Sequence, residues 1–196
     1  MSEALSTFDV VLSELRSLRE VLSKQHFEKV LAVIAEMDSL GGRLHVTGIG
    51  KSEHVARYAA ALFASTGTPA SFLAGVEAGH GSSGQIVPGD VVIAISNSGE
   101  TEELRLAITA VRGLGAKIIA ITGNSESWLA KNAEAFLSAA VEKEGGGLGL
   151  APRASAAAQT VVLASLSAEL EVARNFNRQD FHARHPAGAL GRETKA

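Results

Sequence analysis

The segment Val91-Val92-Ile93-Ala94-Ile95-Ser96-Asn97-Ser98-Gly99-Glu100-Thr101 decides how this chain is read. Five apolar, β-favouring residues stop at a turn of small hydroxyl and amide side chains, and a helical rhythm follows over 101–114. The same succession occurs earlier. Residues 44–47 are a strand-like run, Gly48-Ile49-Gly50-Lys51-Ser52 is the turn, and 52–66 is helical in pattern. Further strand-like runs stand at 70–73, 117–122 and 135–139, with helical stretches at 126–133 and 154–175. Strands that alternate with helices imply parallel pairing. The expected fold class is therefore α/β: a three-layer αβα sandwich around a five-stranded parallel sheet in the flavodoxin-like order 2-1-3-4-5.

Outside this alternation lie two other regions. Residues 4–39 read as two helices, with Val10, Val11, Leu15, Leu18, Val21 and Leu22 on one stripe and Phe27, Val30, Leu31, Ile34 and Met37 on the next. They are expected to lie outside the sandwich and to bury their stripes across a two-fold axis, with a dimer of dimers above it. From Asn177 a polar tail runs through HARHPAGALGR. The expected organisation is one domain: 1–40 for oligomerisation, 41–176 the sandwich, and 177–196 a tail.

The bulk numbers exclude several classes. With 196 residues and a formal net charge of -3, there is one domain's worth of chain and no electrostatic reason to expect nucleic acid. A 46% hydrophobic and 20% charged composition excludes wholesale disorder. The absence of Cys excludes a disulfide framework, a thiolate zinc site and a Cys nucleophile. No apolar run is read as reaching the roughly 18 residues of a membrane span, and MSEALSTFDVV carries acids where a signal peptide carries basic residues. The expectation is a cytoplasmic protein with no membrane partner.

In open α/β sheets a ligand lies beyond the carboxyl ends of the strands where strand order reverses, here between the first and third. Two Gly/Ser-rich turns, each opening a helix, face that crevice. Free backbone N–H groups and the positive helix ends suit a phosphate, with Gly50, Ser52, Ser96, Asn97, Ser98 and Thr101 as its candidate partners. The bland reading, helix capping, needs one hydroxyl per helix, and Ser96-Asn97-Ser98-Gly99-Glu100-Thr101 supplies three. The Gly48–Ser52 turn lacks the glycine spacing of a P-loop and the third Gly of a dinucleotide fingerprint. No G-x-S-x-G elbow is present, which disfavours hydrolase chemistry. No His/Asp/Glu group has metal-ligand spacing, so neither metal nor cofactor is expected.

Among ionisable residues, His80 sits in Glu77-Ala78-Gly79-His80-Gly81, where flanking glycines leave it little to pack against. By residue chemistry alone His185 reads as a solvated terminus, Glu144 as part of a charge run and Glu103 as exposed helix surface. His26 reads as surface, and His45, His54 and His182 have no setting that suggests a role.

GIGKS, FASTGTPASF, EAGHG, PGDVVIAISNSGETEEL, LGLAP and HPAGALGR occur in this order between residues 43 and 192. The combination resembles the sugar isomerase (SIS) domain, most closely the D-arabinose 5-phosphate isomerases. The resemblance implies aldose–ketose isomerisation of D-arabinose 5-phosphate to D-ribulose 5-phosphate, which supplies the precursor of 3-deoxy-D-manno-octulosonate for lipopolysaccharide. It also implies metal independence and a homotetramer whose active sites combine residues from several subunits. By motif position Lys51, His80, Glu103, Glu144 and His185 match the family's catalytic set, which reverses the bland readings of Glu144 and His185. An enediol route needs a proton shuttle near C2, for which His185 and Glu144 both qualify, a cation such as Lys51 for the enediolate, and a group such as His80 to orient or open the sugar. Many members carry two CBS domains after ALGR; this chain is expected to be a form without them. Three positions depart from the family pattern: Ser82 where an acid is usual, the stretch 153–158 in place of Ser/Thr, and Leu163-Ala164 in place of Gly-Asp. They point toward another phosphosugar. A phosphosugar-binding regulatory module and a 6-phospho-3-hexuloisomerase are the competing readings.

Overall fold

The structure, a computed structural model, describes residues 2–187. Five strands, β1 (Leu44–Gly48), β2 (Ala70–Phe72), β3 (Val91–Ile95), β4 (Lys117–Thr122) and β5 (Ala135–Ser138), form one sheet in the order β2-β1-β3-β4-β5. Every pairing is parallel. The expected fold class and strand order are both observed. β1 and β3 bury all five of their residues, as strands covered on both faces must.

Alternation along the strands divides the core in two. Leu44 and Val46 of β1, with Val91, Ile93 and Ile95 of β3, face helices α2 (Lys24–Ser39), α3 (Lys51–Ser65) and α7 (Ala154–Ala173). Val92, Ala94, Ile118 and Ala120 face the other way, onto α5 (Glu102–Gly113) and the short α4 (Gly75–Ala78) and α6 (Trp128–Lys131). α5 shows the helical arithmetic plainly: Leu104, Ala107, Ile108 and Val111 recur at i, i+3, i+4, i+7 and are all buried.

Three expectations are corrected. The amino-terminal helices do not stand outside the sandwich. α2 lays Val30, Ile34 and Met37 into the same core as the sheet, at 0%, 1% and 2% exposure, so this stripe finds its cover within the protomer. α1 (Glu3–Val21) packs beside α7 through Leu18, with Leu15 and Leu22 against the same core, while Leu5 and Phe8 near its start stay exposed. The polar segment from Asn177 is not simply a tail: Asn177 caps α8 (Arg178–Arg184) in a reciprocal box with Asp180. Finally, α7 is by length and composition long and apolar enough to cross a bilayer, because its alanines keep mean hydropathy high without bulk. Val162, Leu163 and Leu166 on it are fully buried, so it is the central core helix of this layer.

Because α2 is core rather than appendage, Ile34→Ala leaves a cavity and costs about 2–5 kcal/mol. Urea denaturation at two protein concentrations tests this: the loss is expected to be the same at both, whereas a loss confined to dilute protein would return α2 to the role of an association helix.

Candidate active site

The register of the central strands pairs Gly48 with Ile95, so β1 and β3 end at one level and their turns emerge side by side. Gly48 must lack a side chain. A Cβ there would lie 2.8 Å from the backbone of Ser52, and this absence lets the first turn of α3 fold back over the strand end. Gly99 allows the second turn. Its φ is +70°, and a Cβ would meet Ser127 Oγ at 2.1 Å.

Between the turns lies a cavity of about 270 Å³. Lys51, Ser52, Ser96, Asn97, Ser98 and Thr101, all singled out from sequence, line it, together with Ile49, Pro152, Ser155, Ala156 and Gln159. Gly50, the residue before α3, adopts φ +63° at the cavity's edge without lining it.

Gly50 and Thr101 precede α3 and α5, and neither gives its helix a side-chain cap. The hydroxyls are engaged in shaping the turn instead. Ser96 Oγ accepts from Gly99 N at 3.1 Å and shares a hydrogen bond with Thr101 Oγ1 at 3.0 Å, while Ser98 Oγ accepts from Glu100 N. Two helix amino termini thus present first-turn N–H groups without side-chain caps beside the cavity. α7 opens beside it too, through Ser155. That side chain is fully buried, and its Oγ has no hydrogen-bond partner among the described residues. Positive helix ends, first-turn N–H groups and the Lys51 ammonium are the groups that suit a cavity to an anion.

Gln159 escaped the sequence reading. It is 2% exposed, and its Oε1 accepts a hydrogen bond from Ser52 Oγ at 3.1 Å, joining α7 to α3 across the cavity floor. The available signal was a pair of polar residues, Ser155 and Gln159, four apart on an otherwise alanine-rich helix.

The other expected residues are placed as follows. Glu144 is half-buried and does not line the cavity; its Oε2 accepts from the backbone N–H of Arg153 at 2.7 Å and of Ser155, a lining residue, at 3.1 Å, so it caps α7 from the loop before it. Its Oε1 makes no hydrogen bond among the described residues. Glu103 is exposed in the first turn of α5, two residues past Thr101. His80 is exposed beyond α4 and does not line the cavity. His185 ends α8, with Nδ1 2.9 Å from Phe181 O and its ring stacked on Phe181 at 3.9 Å. This is not the solvated terminus that residue chemistry suggested. The chain reaches α8 from the far end of α3, where Thr66 Oγ1 meets Ser167 Oγ at 2.8 Å and Phe176 covers Gly67. α3 is about 22 Å long, so His185 sets out from the end opposite the cavity. The rest of HPAGALGR, from residue 188 on, lies outside the described residues. Of the departing positions, Leu163 is fully buried in the core, and neither it nor Ala164 lines the cavity.

Comparison with known proteins adds the following. The SIS domain family model matches residues 41–168. An arabinose 5-phosphate isomerase KdsD of Francisella tularensis subsp. tularensis is 42% identical over 193 residues, covering 98% of this chain and 59% of that protein. The KdsD protein of Escherichia coli is 47% identical over 152 residues, 78% of this chain and 46% of that one. The present chain thus spans about half the length of these relatives. Among solved structures, Escherichia coli CFT073 c3406 in complex with arabinose 5-phosphate superposes with a TM-score of 0.81 at 34% identity, covering 95% of this chain and all of that one (100%).

Two substitutions test the cavity. Ser98→Ala, which removes a hydroxyl whose oxygen only accepts within the turn, is expected to weaken inorganic phosphate binding, read by titration calorimetry, about tenfold, the worth of one hydrogen bond to an anion; an unchanged affinity would remove the anion from this cavity. Glu144→Ala uncaps α7 and is expected to lower stability in urea by about 1 kcal/mol.

Proposed function

This chain belongs to the SIS-domain family, and on that premise we propose that it is a phosphosugar aldose–ketose isomerase interconverting D-arabinose 5-phosphate and D-ribulose 5-phosphate. The observation that carries the reading is the convergence of two helix ends without side-chain caps, Lys51 and the Ser96–Thr101 turn on one cavity. Relatives named for this activity at 42% and 47% identity, and a similar structure described as a complex with arabinose 5-phosphate, support it.

The phosphate sits against Ser52, Ser96, Ser98 and Thr101 at the helix ends, which fixes the carbon chain relative to the base. His80 opens or orients the sugar. A base takes the C2 proton, electrons shift to O1, and a cis-enediolate forms with its charge facing Lys51. The O2 hydroxyl proton passes to O1, and the same base returns its proton to C1 as O2 becomes the carbonyl, so the reaction is redox-neutral overall. Glu144 is suited to be that base in its own protomer: two N–H bonds through Oε2 anchor it and leave Oε1 open. His185 serves only if another copy delivers it, since its own cavity lies at the other end of α3. That requirement, together with the exposed Leu5 and Phe8 on α1 and Leu148 and Leu150 in the loop after Glu144, supports a homotetramer with shared sites. Glu103 completes the set from α5. In this reading the protein acts in the cytoplasm without a metal, at the step that supplies 3-deoxy-D-manno-octulosonate for lipopolysaccharide.

The test is NMR of the full chain with D-arabinose 5-phosphate, with and without EDTA. Ribulose 5-phosphate is expected in both, with kcat reduced about 100-fold or more in Glu144→Gln or His185→Ala, the loss typical of a missing acid–base group. No turnover, with thermal stabilisation by a sugar phosphate, would favour the regulatory binding module. Light scattering that showed a 20.3 kDa monomer would overturn the shared site.

A further inference from the structure

A second polar constellation lies at the other end of the sheet. β1 and β2 pair His45 with Ser71, so the two side chains leave one face of neighbouring strands at the same level. Ser71 Oγ is 2.9 Å from His45 Nδ1, and His45 Nε2 is 3.1 Å from Asp90 Oδ2. Asp90 is fully buried, His45 is 2% exposed, and Ser71 is exposed on the edge strand.

The hydrogen bonds set the tautomer. Asp90 is an acceptor, already holding Arg43 N at 2.7 Å through Oδ1 and Val87 N at 2.9 Å through Oδ2. It therefore takes the Nε2–H of the ring, which leaves the Nδ1 lone pair toward the Ser71 hydroxyl. Burial lowers the pKa of His45, against the opposing hydrogen bond and charge of Asp90 and with help from the Arg43 cation, so the ring is neutral at pH 7. A purely structural pair would need no open side. Here Ser71, His45, Arg43 and Gln85 line a cavity of about 370 Å³ beside β2.

We propose that Ser71, His45 and Asp90 form a nucleophilic relay that cleaves short-chain carboxylic esters at a site separate from the phosphosugar crevice. Ser71 Oγ adds to the ester carbonyl as its proton passes to His45 Nδ1, with Asp90 holding the imidazolium as a positioning residue. Arg43 at the cavity wall faces the oxyanion. The alkoxide departs as an alcohol carrying the proton from the ring. Water, deprotonated by the same nitrogen, then splits the acyl–Ser71 ester, releasing the carboxylic acid and restoring the hydroxyl. The missing G-x-S-x-G elbow does not bear on this arrangement, which comes from three neighbouring chain segments and is recognised by geometry.

The full chain is incubated with p-nitrophenyl acetate and, separately, with a fluorophosphonate, and adducts are mapped by mass spectrometry. One adduct is expected, on Ser71. Its rate should rise with pH through a midpoint below about 6.5, the usual His value, as the ring loses its proton. Ser71→Ala, an exposed change on an edge strand, should abolish adduct and hydrolysis, and His45→Gln should slow both roughly 100-fold. A second variant guards against misfolding of the His45 change. The chain has no cysteine, so Ser71→Cys carries a single thiol. With the neutral ring taking the proton as the sulfur attacks, its alkylation at pH 7 should be about tenfold or more faster than in Ser71→Cys/His45→Gln. An unlabelled Ser71, labelling indifferent to His45, or a Ser71→Cys thiol alkylated at the same rate with and without His45 would each overturn the relay.

Discussion

The parallel register between β1 and β3, running from Leu44 opposite Val91 to Gly48 opposite Ile95, is the constraint on which the crevice depends. It ends two strands at one height. Each chain then has to turn and climb back as a helix, and the two turns have nowhere to go but beside each other. Their helices start without side-chain caps, which in isolation is a fault and here leaves first-turn N–H groups beside the cavity. A slip of one residue would send Leu44 and Val46 to the face of His45 and Thr47 and part the two turns. The buried faces on both sides of the sheet hold the register fixed.

Most of the architecture was legible because its signals are local. Buried parallel strands read as short apolar runs, and α5 writes its face in plain helical spacing. Elements held by tertiary contact were less legible. α4 is a single turn in a Gly-rich stretch, and the 126–133 helix shrinks to four residues, because neither has a periodic face long enough to see. The stripe of α2 was visible, but an apolar stripe does not say which surface covers it. α8 was hidden in a polar segment whose only clue was Asn177 three residues before Asp180.

The crevice shows the same division. Hydroxyl turns announced themselves through type and spacing, and the cavity collects Lys51, Ser52, Ser96, Asn97, Ser98 and Thr101 as expected. Gln159 did not, since its contact with Ser52 spans 107 residues of chain. His45 is the sharper case. It sits in an apolar run, and only the order of the strands brings Ser71 and Asp90 to its two nitrogens. Chemistry carried on one turn can be read in sequence. Chemistry assembled across strands cannot.

Glu144 is moored at both sides. The Glu14 side chain of α1, 8% exposed, accepts from Glu142 N at 2.7 Å, and Thr7 Oγ1 accepts from Gly146 N at 3.1 Å. The first helix thus grips the chain two residues before and two residues after the carboxylate that caps α7. α1 is in effect a gauge block: the spacing of Thr7 and Glu14 along one helix fixes the span of loop on which Glu144 stands. A chain trimmed ahead of residue 15 loses both of these moorings, and the Glu144 carboxylate then hangs from the start of α7 alone.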